Sequence, residues 1–150
     1  MAGRMMIFLC DDDGDEVLFL GSALQTLNVN FEIKSFLKCS DLMCALEHGS
    51  LIPDLIILDL SMPEESGMLC LKKIRSKANF SDIPVIIHST SALAKDVDAA
   101  FFYGAGAYVM KTSSESDYRR NILQVFQREK GELLRPSRER FFVQPAALKS

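Results

Sequence analysis

The fold is decided by residues 55–60, which read Leu-Ile-Ile-Leu-Asp-Leu. A near-continuous apolar run of this length is typical of a strand that is buried on both faces of a parallel sheet. Similar runs occur at residues 5–10, 31–36, 85–88 and 107–110. The segments after these runs carry apolar residues at helical spacing; the clearest case is Val17, Leu20, Leu24 and Leu27. The sequence therefore predicts five strands that alternate strictly with five helices.

This alternation is typical of an α/β fold whose parallel sheet is covered by helices on both sides. Right-handed crossovers leave few topologies. The compact one is a flavodoxin-like, doubly wound (βα)5 fold with a five-stranded sheet in the order 2-1-3-4-5. We expect the last helix to end near residues 130–131, because glycine commonly follows a last helical turn. Residues 1–130 are then one domain, and residues 131–150 form an extension without a domain of its own.

The composition favours a globular protein, with 48% hydrophobic and 25% charged residues. A net charge of −3 argues against direct nucleic-acid binding, which normally needs a basic excess. No apolar run is long enough to cross a membrane, so we expect a cytoplasmic protein. The four cysteines form no C-x-x-C pair, which predicts neither a zinc site nor a disulfide framework and suggests a reducing compartment. These cysteines are Cys10, Cys39, Cys44 and Cys70.

Polar residues follow the predicted strands at the edge of the sheet where such folds bind ligands. The first strand ends in residues 11–13, which are all aspartate, and the third ends in Asp59. Ser89 and Lys111 stand at the ends of the fourth and fifth strands. Crowded carboxylates call for a cation, and Mg²⁺ prefers oxygen ligands. A carboxylate beside that ion can act as a nucleophile toward phosphorus, while a hydroxyl and an ammonium stabilise the phosphoryl charge.

Four motifs in order make the sequence resemble the receiver domain of two-component response regulators over about residues 5–130. They are residues 10–13 (Cys-Asp-Asp-Asp), 58–63 (Leu-Asp-Leu-Ser-Met-Pro) with the loop 64–67, 84–89 (Pro-Val-Ile-Ile-His-Ser) and 104–111 (Gly-Ala-Gly-Ala-Tyr-Val-Met-Lys). The resemblance implies a switch that takes a phosphoryl group from a histidine kinase, or from a phosphotransfer protein, and changes its protein–protein contacts. Such a domain is not an enzyme beyond self-phosphorylation and slow autodephosphorylation.

The resemblance also implies a role for each residue of the site. Asp59 matches the phospho-accepting aspartate, Ser89 the hydroxyl that moves toward the phosphoryl group, and Lys111 the lysine that pairs with it. The side chain of Tyr108 matches the aromatic that changes rotamer. The implied ligands of Mg²⁺, or of Mn²⁺, are Asp11, Asp12, Asp59 and the backbone carbonyl of Ser61.

Three departures from the family pattern stand close to these motifs. Thr112 replaces the common proline after the lysine; base rates favour a trans Lys111–Thr112 bond, whereas family geometry favours cis. Thr90 replaces a common alanine, and its bulk is expected near the phosphoryl pocket. Ser61 and Ser91 occupy positions that tune hydrolysis in the family, and they leave the phosphoryl lifetime open.

Two other functions fit parts of the sequence. Residues 13–17 (Asp-Gly-Asp-Glu-Val) imitate the D-x-D-x-[TV] motif of haloacid-dehalogenase-type phosphatases, but Asp13 lies beyond the strand end and the later acidic pair of those enzymes is missing. A phosphate-independent interaction module would have no use for the acidic cluster. His88 is expected to be a hydrogen-bonded structural residue.

About twenty residues after the last helix are too few for an output domain, which predicts a stand-alone receiver whose downstream target is a protein. The extension carries Phe141, Phe142 and Val143. Apolar residues of this kind are rare in disordered tails. We therefore expect them to dock on this chain or on a second copy, with a weak homodimer that phosphorylation strengthens. Receivers often dimerise through their fourth and fifth helices.

Overall fold

The computed structural model describes residues 4–62 and 65–144. Strands and helices alternate from residue 5 to residue 126, and three short elements follow. The elements are β1 Met5–Cys10, α1 Asp15–Leu24, β2 Phe31–Phe36, α2 Cys39–His48, β3 Leu55–Asp59, α3 Gly67–Arg75, β4 Val85–Ser89, α4 Ala94–Phe102, β5 Ala107–Met110, α5 Glu115–Phe126, α6 Lys130–Leu134, α7 Arg138–Phe141 and β6 Phe142–Val143. No helix among these residues is long and apolar enough to span a membrane.

The strands form one parallel sheet in the order β2-β1-β3-β4-β5-β6. The predicted order 2-1-3-4-5 is thus confirmed, but the prediction of five strands is wrong because β6 adds a sixth beside β5. Every residue of β3 and β4 is buried, as expected for strands at the centre of a doubly wound sheet. The parallel register brings the carboxyl ends of β1, β3, β4 and β5 to one edge.

The two faces of the sheet bury two separate apolar clusters. On one face α1 and α5 cover the side chains of Ile57 and Ile86. On the other face α2, α3 and α4 cover Leu58 and Ile87. This alternation follows from the period of two in a strand, and it fixes which side of the sheet each residue near the strand ends will face.

The extension folds back onto the receiver. Helix α5 ends at Phe126 rather than near residue 130, and the chain reverses through α6 and α7 to place β6 beside β5. The side chain of Phe141 is fully buried, and its ring packs edge-on against Phe101, with the centroids 5.1 Å apart. A Cβ on Gly106 would overlap the carbonyl oxygen of Leu133, so the glycine allows α6 its close approach. Pro145 and the five residues after it lie outside the described part of the chain.

A disulfide joins Cys39, at the start of α2, to Cys70 in α3. The expectation of no disulfide is therefore wrong. The two cysteines are 31 residues apart in the chain, but helix packing brings their Cα atoms to 5.8 Å, within the usual range for a disulfide. Sequence spacing alone does not reveal this proximity. The cysteine content consequently no longer argues for a reducing compartment.

Candidate functional site

Three aspartates meet at the carboxyl edge of the sheet. Asp11 directly follows β1, and its backbone N–H donates to the carbonyl of Phe36, which carries the β1–β2 pairing one residue further. Asp59 is the last residue of β3. Both side chains are buried, whereas the neighbouring Asp12 is exposed to solvent. One carboxylate oxygen of each aspartate lies within 4.8 Å of the others, so the structure brings these three predicted residues together.

The carboxylates of Asp11 and Asp59 are oriented by backbone groups of the loops that follow them. Oδ1 of Asp11 accepts from the N–H of Asp13 at 2.8 Å. Oδ1 of Asp59 accepts from the N–H of Ser61 at 3.0 Å. Such short-range side-chain to backbone bonds fix a loop as it leaves a strand. Residues 63 and 64 of the predicted loop motif lie outside the described residues.

Lys111 supplies the cation of the site. The backbone N–H of Lys111 donates to the carbonyl of Ser89 at 2.7 Å, which anchors the start of the loop after β5. Its Nζ lies 2.8 Å from Oδ2 of Asp11 and 3.3 Å from Oδ2 of Asp59. A third carboxylate, that of Glu16 in α1, lies 3.6 Å from the same nitrogen. Burial lowers the pKa of Lys111, but these carboxylates outweigh it and raise the pKa above its ordinary value.

The two buried aspartates differ in their electrostatics. Burial raises the pKa of Asp11, but contacts with His88 and Lys111 outweigh burial and hold that pKa well below its usual range. Burial raises the pKa of Asp59, and the Ser61 N–H and Lys111 oppose it only in part, so the net shift is upward. The negative charge at Asp59 is thus incompletely compensated by the protein. An additional cation beside Asp59 would stabilise that charge.

The donor set fits a hard divalent ion. Asp11, Asp12 and Asp59 offer carboxylate oxygens from one edge of the sheet, and Asp12 keeps the group open to water. Mg²⁺ usually combines one or two carboxylates with several waters. A second group that could hold a metal consists of Asp11, Glu16 and His88. Lys111 contacts two carboxylates in either group, but only the first group has an exposed member, Asp12, and it offers three carboxylates rather than two, so the first group is the better candidate.

Ser89 ends β4 with its side chain fully buried. Its Oγ accepts from the N–H of Ser91 at 3.1 Å, and Ser91 Oγ donates to Asp96 at 2.6 Å. The loop after β4 is therefore held to the start of α4. The side chain of Thr90, which was expected near the pocket, is exposed.

Tyr108 lies in β5 with no exposed surface. Its hydroxyl donates to the backbone carbonyl of Ser91 at 2.9 Å. Its ring packs edge-on against Phe142 of β6, with the centroids 5.5 Å apart. Tyr108 thus contacts both the loop that follows Ser89 and the folded extension.

The Lys111–Thr112 bond is trans, as base rates favoured. The hydroxyl of Thr112 accepts from the N–H of Ser114 at 3.1 Å, and Ser114 in turn caps α5 by accepting from Asp117. A hydroxyl-bearing residue therefore stabilises this loop where a proline is common in the family.

Two residues of the site were missed in the sequence. Nε2 of His88 lies 2.9 Å from Oδ2 of Asp11, and Glu16 reaches the cluster from α1. The signal for His88 was its position directly before Ser89, at the end of a central strand. The period of two then places His88 on the opposite face from Ile87, the face that α1 and α5 cover. The position of Glu16 depends on how α1 packs, which the sequence does not specify.

The geometry disfavours both alternative functions. Asp13, the nucleophile of the phosphatase alternative, is exposed, and its Oδ1 accepts from the N–H of Asp15 at 3.0 Å. The intact cluster around Lys111 disfavours a module that has no use for phosphate.

Comparisons with known proteins agree with this geometry. Residues 7–123 match the model of the response regulator receiver domain. "Two-component response regulator ARR3" of Arabidopsis thaliana is 34% identical over 85 residues, which cover 57% of this chain but only 37% of the relative. "Probable methanogenesis regulatory protein FilR2" of Methanothrix harundinacea is 24% identical over 127 residues, or 80% of each protein.

Solved structures support the same fold. The phosphorylated cyanobacterial phytochrome response regulator RcpA superposes with a TM-score of 0.76 at 24% identity, covering 90% of this chain and 97% of that one. The Mn²⁺-bound form of response regulator Rcp1 gives a TM-score of 0.75 at 22% identity, covering 89% and 96%. From the strand order, the clustered site residues and the match over residues 7–123, we conclude that the chain belongs to the response regulator receiver domain family.

Proposed function

We propose that the chain accepts a phosphoryl group on Asp59 and thereby switches its protein–protein contacts. The observation that carries this proposal is the buried Asp59 carboxylate with the ammonium of Lys111 at 3.3 Å and two further carboxylates beside it. Burial raises the pKa of Asp59 above its ordinary value, and the Ser61 N–H and Lys111 offset this only in part. A divalent ion would compensate both the charge of Asp59 and the added negative charge of the incoming phosphoryl group.

The chemistry is a single displacement at phosphorus. An oxygen of Asp59 attacks a phosphohistidine of the donor protein, and the N–P bond breaks as the new O–P bond forms. The donor imidazole leaves with the electron pair of the N–P bond and takes up a proton. Lys111 and Ser89 supply an ammonium and a hydroxyl to the phosphoryl oxygens. A bound Mg²⁺ or Mn²⁺, held by Asp11, Asp12, Asp59 and the Ser61 carbonyl, would supply the remaining positive charge.

The proposed phosphoryl donor is a sensor histidine kinase or a phosphotransfer protein in the cytoplasm, and the proposed downstream target is another protein. The curated regulator ARR3 is matched over little more than a third of its length, so these partners are inferred from the site and the family. The chain would carry out only self-phosphorylation and slow autodephosphorylation. The Tyr108 hydroxyl donates to the Ser91 carbonyl. This contact supports a conformational change that passes from Ser89 to the surface near α4 and β6.

Incubation with acetyl phosphate or phosphoramidate tests the proposed function. We expect one phosphoryl group per chain in the presence of Mg²⁺ or Mn²⁺, and none when a chelator is added. Intact-mass spectrometry measures the incorporation, and hydroxylamine should remove the group because acyl phosphates are cleaved by this nucleophile. Labelling that chelator does not affect, or labelling that resists hydroxylamine, would contradict the proposal.

Mg²⁺ should raise the thermal midpoint of the protein. An ion that binds only the folded state stabilises it by about 2.7 kcal/mol at a hundredfold excess over the dissociation constant, or about 5–10 °C for a chain of this size. Differential scanning calorimetry measures the shift. Asp12→Ala should remove most of the shift, because it deletes one of the three carboxylates that could hold the ion. Since Asp12 is exposed, the substitution should perturb the fold little. Asp82→Ala, at an exposed position away from the site, should leave the shift unchanged.

We further propose a weak homodimer that phosphorylation strengthens. The support is the position of the extension: α7 and β6 lie beside α4 and β5, and Phe102 at the end of α4 is 80% exposed. Sedimentation velocity should show a higher association constant after addition of beryllofluoride with Mg²⁺. Asp59→Asn should not respond to this phosphoryl analogue. A monomer at all concentrations under both conditions would rule out the dimer.

A further inference from the structure

The imidazole of His88 is enclosed beside the acidic cluster. His88 has no exposed surface. Its Nε2 lies 2.9 Å from Oδ2 of Asp11, and its Nδ1 lies 3.4 Å from the hydroxyl of Tyr118 in α5. Despite the short distance, Nε2 has no well-aligned hydrogen-bond partner among the described residues. A neutral imidazole carries one donor and one acceptor, and a proton on Nε2 lets Nδ1 accept from Tyr118.

Oδ2 of Asp11 contacts both His88 and Lys111. Lys111 also has a proposed role at Asp59, where its ammonium would bind the phosphoryl oxygens. The Nζ of Lys111 lies 2.8 Å from Oδ2 of Asp11 and 3.3 Å from Oδ2 of Asp59. A phosphoryl group on Asp59 would add negative charge there, which would draw Lys111 toward it and away from Asp11. The side chain of Asp11 is only 1% exposed, so water cannot replace the lysine freely. A buried charged oxygen without a donor is destabilising.

We propose that His88 is a positioning residue for the divalent-ion site. Its Nε2–H holds Oδ2 of Asp11 in the resting protein, beside Lys111 on the same oxygen, and continues to hold it when Lys111 moves toward Asp59, and so keeps the Asp11 carboxylate turned toward Asp12 and Asp59. Oδ1 is held independently by the N–H of Asp13. This inference rests on the proposed function, because it assigns His88 to the same ion site. Partners of metal-binding carboxylates act in this way, and their loss typically weakens metal binding about 10–100-fold.

Two amide substitutions at the same buried position test the proposal. The side-chain amide of glutamine can reach the position of Nε2, whereas that of asparagine reaches only the position of Nδ1. We expect His88→Asn to lower the affinity for Mn²⁺ about 10–100-fold, and His88→Gln to retain most of the wild-type affinity. Electron paramagnetic resonance of free Mn²⁺ measures binding directly, and competition extends it to Mg²⁺. Tyr118→Phe, which removes only the Nδ1 partner, should change the affinity less than about threefold.

A second measurement uses the metal-free wild-type protein. The chain has two histidines, and the other, His48, is exposed, so ¹⁵N resonances of His88 can be assigned. We expect a proton on Nε2. The absence of a proton from Nε2 would overturn the proposal, as would unchanged Mn²⁺ binding in His88→Asn or an equal loss in all three variants. Mn²⁺ binding needs no phosphoryl donor, so failure of Asp59 to be labelled would contradict the proposed function separately.

Discussion

Asp59→Asn is expected to abolish phosphoryl incorporation from acetyl phosphate. The substitution preserves the shape of the side chain, and the amide oxygen can still accept from the N–H of Ser61, which now binds Oδ1 at 3.0 Å. The amide is neutral and is a much weaker nucleophile than a carboxylate. It also removes one anionic oxygen from the group of three that could hold the ion. Intact-mass spectrometry should show no added phosphoryl group over the time in which the wild type is fully labelled.

Asp13→Asn is the matched control for this variant. Asp13 is an aspartate in the loop after β1, is exposed, and is the nucleophile of the phosphatase alternative. The Asp13→Asn variant should be labelled as rapidly as the wild type if Asp59 is the acceptor. Labelling that persists in Asp59→Asn and disappears in Asp13→Asn would reverse the assignment. Equal labelling of both variants would mean that neither residue is the acceptor.

The doubly wound sheet was predictable because each central strand has a recognisable apolar sequence. Residues 55–58 and 85–87 are continuously apolar, and strands buried on both faces require this. Once the strand order was known, the parallel register placed Asp11, Asp59 and Lys111 at one edge without further information. The core of the candidate site therefore follows from strand ends alone. The same reasoning explains why four short motifs were sufficient to reveal the resemblance.

Features that depend on how helices pack were not predictable. The Cys39–Cys70 disulfide requires α2 and α3 to approach each other, and the contact of Glu16 with Lys111 requires a particular placement of α1. The sixth strand has two residues, too few for a periodic pattern. Its apolar residues were noticed, but only the observed pairing of Tyr108 with Phe142 and of Val109 with Val143 shows where they dock.

Phe141→Ala is expected to lower the free energy of unfolding by about 3–5 kcal/mol, the usual cost of removing a fully buried phenylalanine ring. Phe141 has no exposed surface, and its ring lies edge-on against Phe101. Helix α7 leads directly into β6, so loss of this anchor also weakens the pairing of β6 with β5. Urea denaturation followed by circular dichroism measures the change.

Phe102→Ala is the control, because this neighbouring phenylalanine is 80% exposed. Surface substitutions usually change stability by no more than about 0.5 kcal/mol. If Phe141→Ala behaved like this control, the extension would contribute little to the fold. A fall of several kcal/mol would instead make α7 and β6 part of the folding unit. Tyr108 contacts Phe142 through its ring and the Ser91 carbonyl through its hydroxyl. A stably docked extension would therefore restrict the movement of Tyr108. The extension would then belong to the surface through which the proposed phosphorylation of Asp59 would be transmitted.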